Sequence, residues 1–373
     1  MTIIIKNAQV YQLAAPIESV VRTSFGTMSQ RTALLLSLRD RDGLVGWGES
    51  WVNFPAWAAA ERQWAFTQAY MPYLKGRRID DIPRFITDMA EAFMGPARQA
   101  AAPGPLVQAL CAVEIALWDL QAQRVGKSLA QLLFRKPASS VRVYASGLNS
   151  PLPWTRIDQH LQLGVRLFKL KLGFGRRQDR TNLRELRRHL GTAAGIAVDV
   201  NRGWTVDEAW DWLAELQDLD VAWLEEPVRA EEESHLGKLR WQGVKIAAGE
   251  NLYFDPVAGP KSWPRLAFAD ILQPDITKNC GLQRCVALLG QLQRGQRLYP
   301  HFLGSAVGQA ASFHLATGCG PATWQEWDIN ANPLRTDLTD PPFEIRDGKV
   351  ALPTTPGLGW RVNGKRLKKF RIV

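Results

Sequence analysis

Two short segments, FKLKLG (168–173) and IAVDVN (196–201), flank a strongly charged stretch with helical spacing. Both segments are typical of buried β-strands, and the charged cluster RELRR (184–188) between them is typical of a solvated helix face. A strand, a helix and a second strand in this order predict a βαβ unit with parallel strands. The repetition of this unit along the chain decides the fold.

Strand-like segments recur about every 25 residues from residue 140 onward, with amphipathic segments between them. One of these amphipathic segments starts with a capping box, in which Glu208 follows Thr205. Strands and crossover helices repeated at this spacing predict a closed α/β barrel. The predicted strands cover residues 141–147, 168–173, 196–201, 221–227, 245–251, 270–276, 297–302 and 322–328.

The chain before the barrel has a different pattern. Residues 3–17 and 32–48 read as antiparallel strands, the second interrupted by a turn at DRDG (40–43), and three helical patterns follow. We therefore expect an α+β domain at residues 1–130 and the barrel at 131–342. Residues 343–373 return to strand-like sequence, and we expect this tail to pack back onto the N-terminal domain.

Ionisable residues stand near the ends of the predicted barrel strands, 25 to 28 residues apart. The C-terminal ends of barrel strands form the face on which such barrels build active sites. Several charges pointing into one barrel mouth would be costly unless they balance one another or bind an ion. The residues in register are Lys171, Asp199, Glu225, Glu250, Asp275, His301 and Glu326.

Three of these residues are acids on consecutive strands, Asp199, Glu225 and Glu250. Each one alone fits a surface carboxylate equally well. Together, with no arginine interleaved, they predict a site for a hard divalent cation, and Mg²⁺ prefers such oxygen ligands.

Lys169 and Lys171 lie two residues apart in one strand and therefore point to the same face. An edge strand with a solvated lysine face would have the same pattern. Beside a metal site, the cation and the second lysine would lower the pKa of a lysine and allow it to act as a base. His301 and Asp275, on neighbouring strands, fit an imidazole oriented by a carboxylate, although His301 alone fits a core histidine.

The net charge of +10 comes from scattered basic residues rather than from a patch interleaved with aromatic residues. It favours small anionic substrates over nucleic acid. The start of the chain, MTIIIKNAQV, lacks the pattern of a signal peptide, and the apolar stretch at 106–120 contains acidic residues, which indicates a packed helix rather than a membrane span. The cysteine spacings fit neither a metal site nor a CxxC motif, so we expect reduced thiols in a cytoplasmic protein.

In this order and spacing, the segments resemble the enolase superfamily and, within it, the mandelate racemase subgroup. The resemblance covers nearly the whole chain. It implies an α/β protein with a modified (β/α)7β TIM barrel and an N-terminal α+β capping domain completed by the C-terminal tail. The matching segments are GLVGWGES (43–50), AVEIALWDLQAQRVGKSLAQLL (112–133), WLEEP (223–227), LQPDITKNCG (272–281), WQEWD (324–328) and PGLGW (356–360).

The resemblance also implies roles for the residues in register. Magnesium would be held at Asp199, Glu225 and Glu250. Lys171 would be the base on one face of the substrate, with Lys169 as an electrostatic helper, and the His301–Asp275 pair would be the acid or base on the other face. Glu326 would hydrogen-bond the substrate carboxylate, and Asn201 is a further expected substrate contact.

The same resemblance implies that capping-domain loops near residues 18–30 and 50–58 close the site and select the substrate. Residues 134–135 are Phe-Arg, where relatives often have Gly-Gly. This departure lies away from the expected catalytic residues. Residue 275 distinguishes the subgroups, because an aspartate there together with His301 indicates the racemase-like subgroup. The muconate-lactonising-like subgroup has a lysine on that strand.

The shared reaction of such enzymes is removal of the proton alpha to a carboxylate, so we expect a small-molecule carboxylate substrate. Dehydration of a sugar acid is the favoured outcome. The loop WVNFPAW (51–57) is more apolar than a sugar-acid pocket would need. The alternative is therefore a racemase or epimerase of a less polar 2-hydroxy or amino acid. A non-catalytic scaffold or sensor is the alternative of another class. We also expect a homo-oligomer, from dimer to octamer.

Overall fold

The structure is a computed structural model and describes residues 2–23, 26–55, 57–240, 243–258 and 266–372. The N-terminal part contains an antiparallel sheet in the order β3-β2-β1-β4. Its strands are β1 (Ile3–Thr23), β2 (Gly26–Asp40), β3 (Val45–Ser50) and β4 (Arg78–Ile79). The predicted turn at residues 40–43 is confirmed, because Gly43 donates its backbone N–H to Asp40 O between β2 and β3.

Helices cover this sheet. They are α1 (Ala58–Trp64), continued by a π-helical turn (Ala65–Tyr70) into α2 (Met71–Leu74), then α3 (Ile82–Gln99), α4 (Pro103–Arg124) and α5 (Leu129–Leu133). Helix α4 is buried along most of its length, because it lies between β3, α3 and the barrel. It is thus the packed helix that the sequence predicts. Among the described residues, no helix has the length and apolarity required to cross a membrane.

Each of the predicted barrel strands is present, and their parallel pairing confirms the barrel. Every strand pairs with the next from β5 to β11, and β12 pairs back with β5. The strands are β5 (Ser140–Leu148), β6 (Leu167–Lys171), β7 (Gly195–Asp199), β8 (Val221–Glu225), β9 (Ile246–Ala248), β10 (Ile271–Leu272), β11 (Arg297–Leu298) and β12 (Trp324–Asp328).

The seam between β11 and β12 is closed by side chains. Among the described residues no backbone ladder joins these two strands. Instead, Gln325 Nε2 donates to Pro300 O at 3.1 Å and Thr323 Oγ1 donates to Leu298 O at 3.4 Å. Side-chain amide and hydroxyl groups thus replace the missing ladder.

The crossover helices follow the predicted alternation. Helix α8 starts with the predicted capping box, since Thr205 Oγ1 accepts from Glu208 N and the Glu208 side chain accepts from Thr205 N. The helices are α6 (Trp154–Gln162), α7 (Arg176–Leu190), α8 (Val206–Asp218), α9 (Leu236–Leu239), α10 (Gly281–Leu289) and α11 (Ala306–Gly318), with 3-10 turns at Ala230–His235 and Leu266–Phe268.

The C-terminal tail divides between the two parts of the molecule. The elements just before the tail are α12 (Pro333–Thr336) and β13 (Thr339–Asp340), and those within it are β14 (Ile345–Arg346), β15 (Lys349–Ala351), β16 (Arg361–Val362) and α13 (Gly364–Phe370). The hairpin β14–β15 extends the barrel sheet, because β15 pairs antiparallel with β5. Residues on either side of the hairpin reach the capping domain, since α12 contacts β1 and β2 and Ile372 N donates to Gln12 O at 2.9 Å. The expectation that the whole tail packs on the capping domain was therefore wrong for this hairpin.

Candidate active site

The charged residues in register are buried together at the C-terminal ends of the barrel strands. Each is at most 8 % exposed, and a layer of aromatic rings that includes Tyr144, Trp223 and Tyr299 fills the barrel interior beside them. Asn201 follows β7 with a left-handed backbone, φ 49°, and is half-buried. The buried residues are Lys169, Lys171, Asp199, Glu225, Glu250, Asp275, His301 and Glu326.

The two lysines face the same side of β6, as the sequence predicts. Lys171 Nζ donates to Asp199 Oδ2 and, at 3.1 Å, to Asn201 Oδ1. Lys169 Nζ lies 2.5 Å from Glu225 Oε1 and 2.8 Å from Glu326 Oε1. Both ammonium groups are therefore paired with acids across the barrel mouth.

In the protein without a bound cation, the pKa of Lys171 is raised. Burial alone would lower it, but Asp199, with Glu225 and Glu250, outweighs both burial and the repulsion from Lys169 and raises it. The lowering expected beside a bound cation therefore stays a prediction. The paired carboxylates, which the sequence argument assigned to a metal, dominate the electrostatics of the lysine.

Glu225 lies at the centre of the site and accepts hydrogen bonds from several elements. Trp223 Nε1 donates to Glu225 Oε2 at 3.1 Å, and Gln273 Nε2 donates to the same oxygen at 2.8 Å. Burial and the neighbouring Asp199 raise the pKa of Glu225, even though Lys169 is in contact. Burial is the largest cause of this shift, and both acids and lysines surround the carboxylate.

His301 and Asp275 form the expected pair. Asp275 Oδ2 lies 2.8 Å from His301 Nδ1, while Thr277 donates its backbone N–H and its hydroxyl to Asp275 Oδ1, both at 2.7 Å. The other ring nitrogen, Nε2, lies 3.0 Å from Glu250 Oε2. Burial would lower the pKa of His301, but Glu250 and other acids raise it to about 9. The imidazole is thus held by one carboxylate and directed toward another.

Glu326, the last residue in register, is fully buried. Its Oε2 accepts from Phe302 N at 3.2 Å and lies 3.5 Å from His301 Nε2. Together with the contact of Lys169, this places Glu326 between the lysine pair and the histidine.

Glu226 directly follows Glu225, so strand alternation would direct its side chain away from the barrel mouth, but the structure differs. The residue lies just beyond β8, has φ 39° and is 3 % exposed. Its carboxylate accepts from Asn251 N at 3.2 Å and from Asn251 Nδ2 at 2.5 Å, and it lies 3.4 Å from Arg202 Nε. The left-handed backbone thus turns Glu226 toward the end of the neighbouring strand, and period-2 alternation no longer applies there.

The predicted metal ligands do not converge into a closed cluster. Within the described ranges, no group of three or more His, Cys, Asp or Glu side chains is arranged to hold a metal ion. Each acid is instead paired with a protein cation, Asp199 with Lys171, Glu225 with Lys169, and Glu250 with His301. The donor set nevertheless fits a hard divalent ion, because it consists of buried carboxylate oxygens.

A cavity of about 310 Å³ opens over these residues and reaches the capping domain. Lys171, Glu250 and His301 line it from the barrel. Both expected capping-domain segments reach the cavity, although residues 24, 25 and 56 lie outside the described residues. The capping-domain residues that line the cavity are Val21, Met28, Arg31, Trp51, Asn53 and Phe54.

Several residues around the cavity were not found by sequence reasoning. Lys278 Nζ lies 3.3 Å from Glu250 Oε2 and 4.8 Å from the ring centre of Trp51, so it links a capping-domain loop to the barrel. Arg31 also lines the cavity and pairs with Asp328, almost 300 residues away in sequence. The repeat spacing contains no signal for such long-range pairs.

Glu49 is a further residue that joins the two parts of the molecule. From the end of β3, it accepts hydrogen bonds from Ser305 N and Gly308 N, both at 2.7 Å, and from Ser305 Oγ at 2.5 Å. These donors form the N-terminus of α11, four residues after His301. Burial raises the pKa of Glu49 to about 7.

Family models match both parts of the chain. The model described as mandelate racemase / muconate lactonizing enzyme, N-terminal domain, matches residues 5–133, and the model described as enolase C-terminal domain-like matches residues 156–366.

Curated relatives of similar length have different reactions. The chain is 29 % identical to a D-galactarolactone cycloisomerase of Agrobacterium fabrum, over 97 % of this chain and 96 % of the relative. It is 27 % identical to an L-talarate/galactarate dehydratase of Salmonella typhimurium, over 90 % and 82 % of the two chains. An L-Lys-D/L-Arg epimerase of Methylococcus capsulatus is 28 % identical, over 95 % and 98 %.

Solved structures agree with these matches. A mandelate racemase/muconate lactonizing enzyme from Bordetella bronchiseptica superposes with a TM-score of 0.88 at 31 % identity, over 99 % of both chains. A racemase from Streptomyces coelicolor with bound magnesium superposes with a TM-score of 0.83 at 26 % identity, over 99 % of this chain and all of that chain. The chain therefore belongs to the enolase superfamily, in the mandelate racemase / muconate lactonizing enzyme group.

Proposed function

We propose that the protein removes the proton alpha to the carboxylate of a small substrate in the presence of Mg²⁺, and that the reaction is dehydration of a sugar acid. One observation carries the proposal: Lys171 and His301, from different strands, line the same cavity next to buried carboxylates. Two proton-transfer groups in one cavity are what abstraction at one position and protonation at another require.

The metal would be held by Asp199, Glu225 and Glu250. When bound, Mg²⁺ would supply positive charge that stabilises the negative charge developing on the substrate carboxylate. Lys171 donates to Asp199 in the protein by itself, and with that carboxylate engaged by the ion the amine would be available for proton transfer. The magnesium-bound racemase structure supports this assignment.

Protein side chains would transfer the protons and contact the substrate. Lys171 takes the proton from the alpha carbon, and Lys169 adds positive charge beside it. His301, held by Asp275 at Nδ1, presents Nε2 and gives a proton to the leaving hydroxyl. Glu326 and Asn201 would contact the substrate, Glu326 through a hydrogen bond with its carboxylate.

Dehydration of a sugar acid is supported by the polar amide side chains of Asn149, Asn201 and Asn330 that line the cavity, since an amide can hydrogen-bond a hydroxyl as donor or acceptor. The dehydratase and the galactarolactone cycloisomerase among the relatives support the same substrate class. An apolar wall that includes Met28 and Phe54 favours the second candidate, racemisation or epimerisation of a less polar acid, as does the epimerase relative.

The two candidates differ in how single variants exchange the alpha proton with D₂O. His301→Asn should stop turnover but leave Lys171 able to exchange the proton that it faces. If the enzyme is a dehydratase with one abstracting base, Lys171→Ala should show no exchange of the alpha proton. The exchange rate should then be lower than that of the wild type by about 100-fold or more.

Exchange of opposite enantiomers by the two variants would favour racemisation instead. Wild-type turnover in either variant would contradict the proposed mechanism. A scaffold or sensor would exchange no carboxylate at all. Self-association and a cytoplasmic location stay predictions, the first open to light scattering and the second to fractionation.

A further inference from the structure

Two buried arginines share one buried aspartate beside the cavity. Arg31 on β2 donates from Nη2 to Asp328 Oδ2 at 2.7 Å and from Nε to Ala331 O at 3.1 Å. Arg335 on α12 places Nη1 3.8 Å from the same Asp328 oxygen. Each of these three charged residues is at most 4 % exposed. We call them the Arg31–Asp328–Arg335 cluster.

The charges of this cluster do not balance. The second oxygen of Asp328, Oδ1, accepts from Asn330 N at 2.9 Å and from Asn330 Nδ2 at 3.0 Å, so both oxygens are in use. A third guanidinium, Arg156, lies close by and donates to Asn330 Oδ1 at 3.2 Å. One carboxylate therefore faces more than one positive charge, and burial of uncompensated charge is costly.

Burial, rather than the neighbouring charges, sets the direction of the Arg335 pKa shift, because Asp328 acts on it more strongly than Arg31. Burial lowers the pKa of Arg335 to about 10, and repulsion from Arg31 acts in the same direction, although Asp328 opposes both. A further anion next to the cluster would relieve this repulsion. Among the described residues, Asp328 is the only acid within ion-pair distance of Arg31 or Arg335.

The cluster lies at the cavity, where a substrate can supply that anion. Arg31 and Asp328 line the same cavity as Lys171 and His301. Among the described residues, Arg31 Nη1 has no hydrogen-bond acceptor. A guanidinium with a free edge binds a carboxylate through parallel N–H donors.

We propose that the Arg31–Asp328–Arg335 cluster binds a second carboxylate of the substrate, so that the substrate is a dicarboxylic sugar acid. This inference rests on the proposed function, which places the first carboxylate at the metal site. The other role open to the cluster is a salt bridge that only joins the capping domain to the barrel. A bridge of that kind would affect all ligands alike.

The wild-type protein provides the first test, by calorimetry in the presence of Mg²⁺. The probes are six-carbon aldaric acids and the six-carbon aldonic acids of the same configuration, which differ only in the second carboxylate. The best-bound aldaric acid should bind about 30-fold or more tightly than its aldonic counterpart, as a buried charge-assisted contact allows. Equal binding, or tighter binding of the aldonic acid, would overturn the inference.

Variants assign the preference to the cluster. Arg31→Met should remove most of the difference between the paired acids, and Arg31→Lys should retain part of it. Arg124→Met is the matched control, because Arg124 pairs with the buried Asp40 of the capping domain at 2.6 Å and does not line the cavity. It should leave the preference unchanged. Equal weakening of both acids by Arg31→Met would indicate the purely structural bridge.

The outcome is separable from that of the proposed function. Binding contrasts need no turnover, so they test the cluster even if no carboxylate undergoes alpha-proton exchange. Exchange with aldonic acids, but without an aldaric preference, would retain the proposed function and reject the second-carboxylate site.

Discussion

Gly48 is expected to be among the least replaceable residues of the capping domain. A Cβ added to Gly48 would lie 1.9 Å from Ala112 O and 2.8 Å from Ala112 C, both backbone atoms of α4. Ordinary contact begins near 3.4 Å, so β3 or α4 would have to move by about 1.5 Å in a close-packed interior. Because a helix backbone cannot rotate away as a side chain can, we expect a cost of about 3 kcal/mol or more.

This packing also matters for the active site. Gly48 precedes Glu49, which hydrogen-bonds the N-terminus of α11, and Trp51, which lines the cavity. Gly48→Ala should therefore lower the unfolding temperature by roughly 4 °C and also reduce activity. Differential scanning calorimetry measures the first effect.

Gly364→Ala is the matched control for this prediction. Gly364 is the exposed first residue of α13, and a Cβ there would meet nothing within 4 Å. It should leave stability unchanged or raise it by up to about 1 kcal/mol. If Gly48→Ala unfolds within a degree of the wild type, the close approach of β3 to α4 is wrong.

Two further predictions concern acids of the site and its surroundings. Glu225→Gln should weaken Mg²⁺ binding, measured by calorimetry, by about 10-fold or more. Glu226→Gln should weaken it less, because the Glu226 carboxylate binds Asn251 and Arg202. Equal losses of Mg²⁺ affinity in the two variants would mean that the wrong glutamate was chosen. Burial raises the pKa of Glu49 to about 7, so the folded state holds this proton more tightly than the unfolded state. Its contribution to stability should be complete below about pH 4.5 and be lost as the pH rises through 7, by up to about 3 kcal/mol. Urea unfolding at pH 5 and pH 8 measures this loss of stability. The loss should be absent in Glu49→Gln and should remain in the control Glu208→Gln, which changes an exposed residue of the α8 capping box.

The fold was predictable because it repeats. The strand–helix period gave every barrel strand its approximate position, and the charged residue at each strand end followed from the same spacing. Parallel strands place equivalent residues side by side, as the register of Lys171 with Asp199 and of Asp199 with Glu225 shows. The repeat spacing therefore predicted both the barrel and the charged residues at its mouth.

Features that depend on distant contacts or irregular backbone were not predictable. The side chain of Glu226 is redirected by its positive φ, and the β14–β15 hairpin joins β5 rather than the capping domain. The pairs of Arg31 with Asp328 and of Glu49 with Ser305 join residues more than 250 positions apart. The direction of the lysine pKa depends on the sum of several acids, which no single motif contains.

The central claim is that Mg²⁺ and the Lys171–His301 pair support removal of an alpha proton. Proton NMR in D₂O, with a panel of mono- and dicarboxylic sugar acids and hydroxy acids, tests it directly. We predict that at least one acid incorporates deuterium at its alpha carbon with Mg²⁺ present, that excess EDTA stops the exchange, and that added Mg²⁺ restores it. Exchange that continues at the same rate in EDTA, or no exchange with any acid of the panel, would contradict the account.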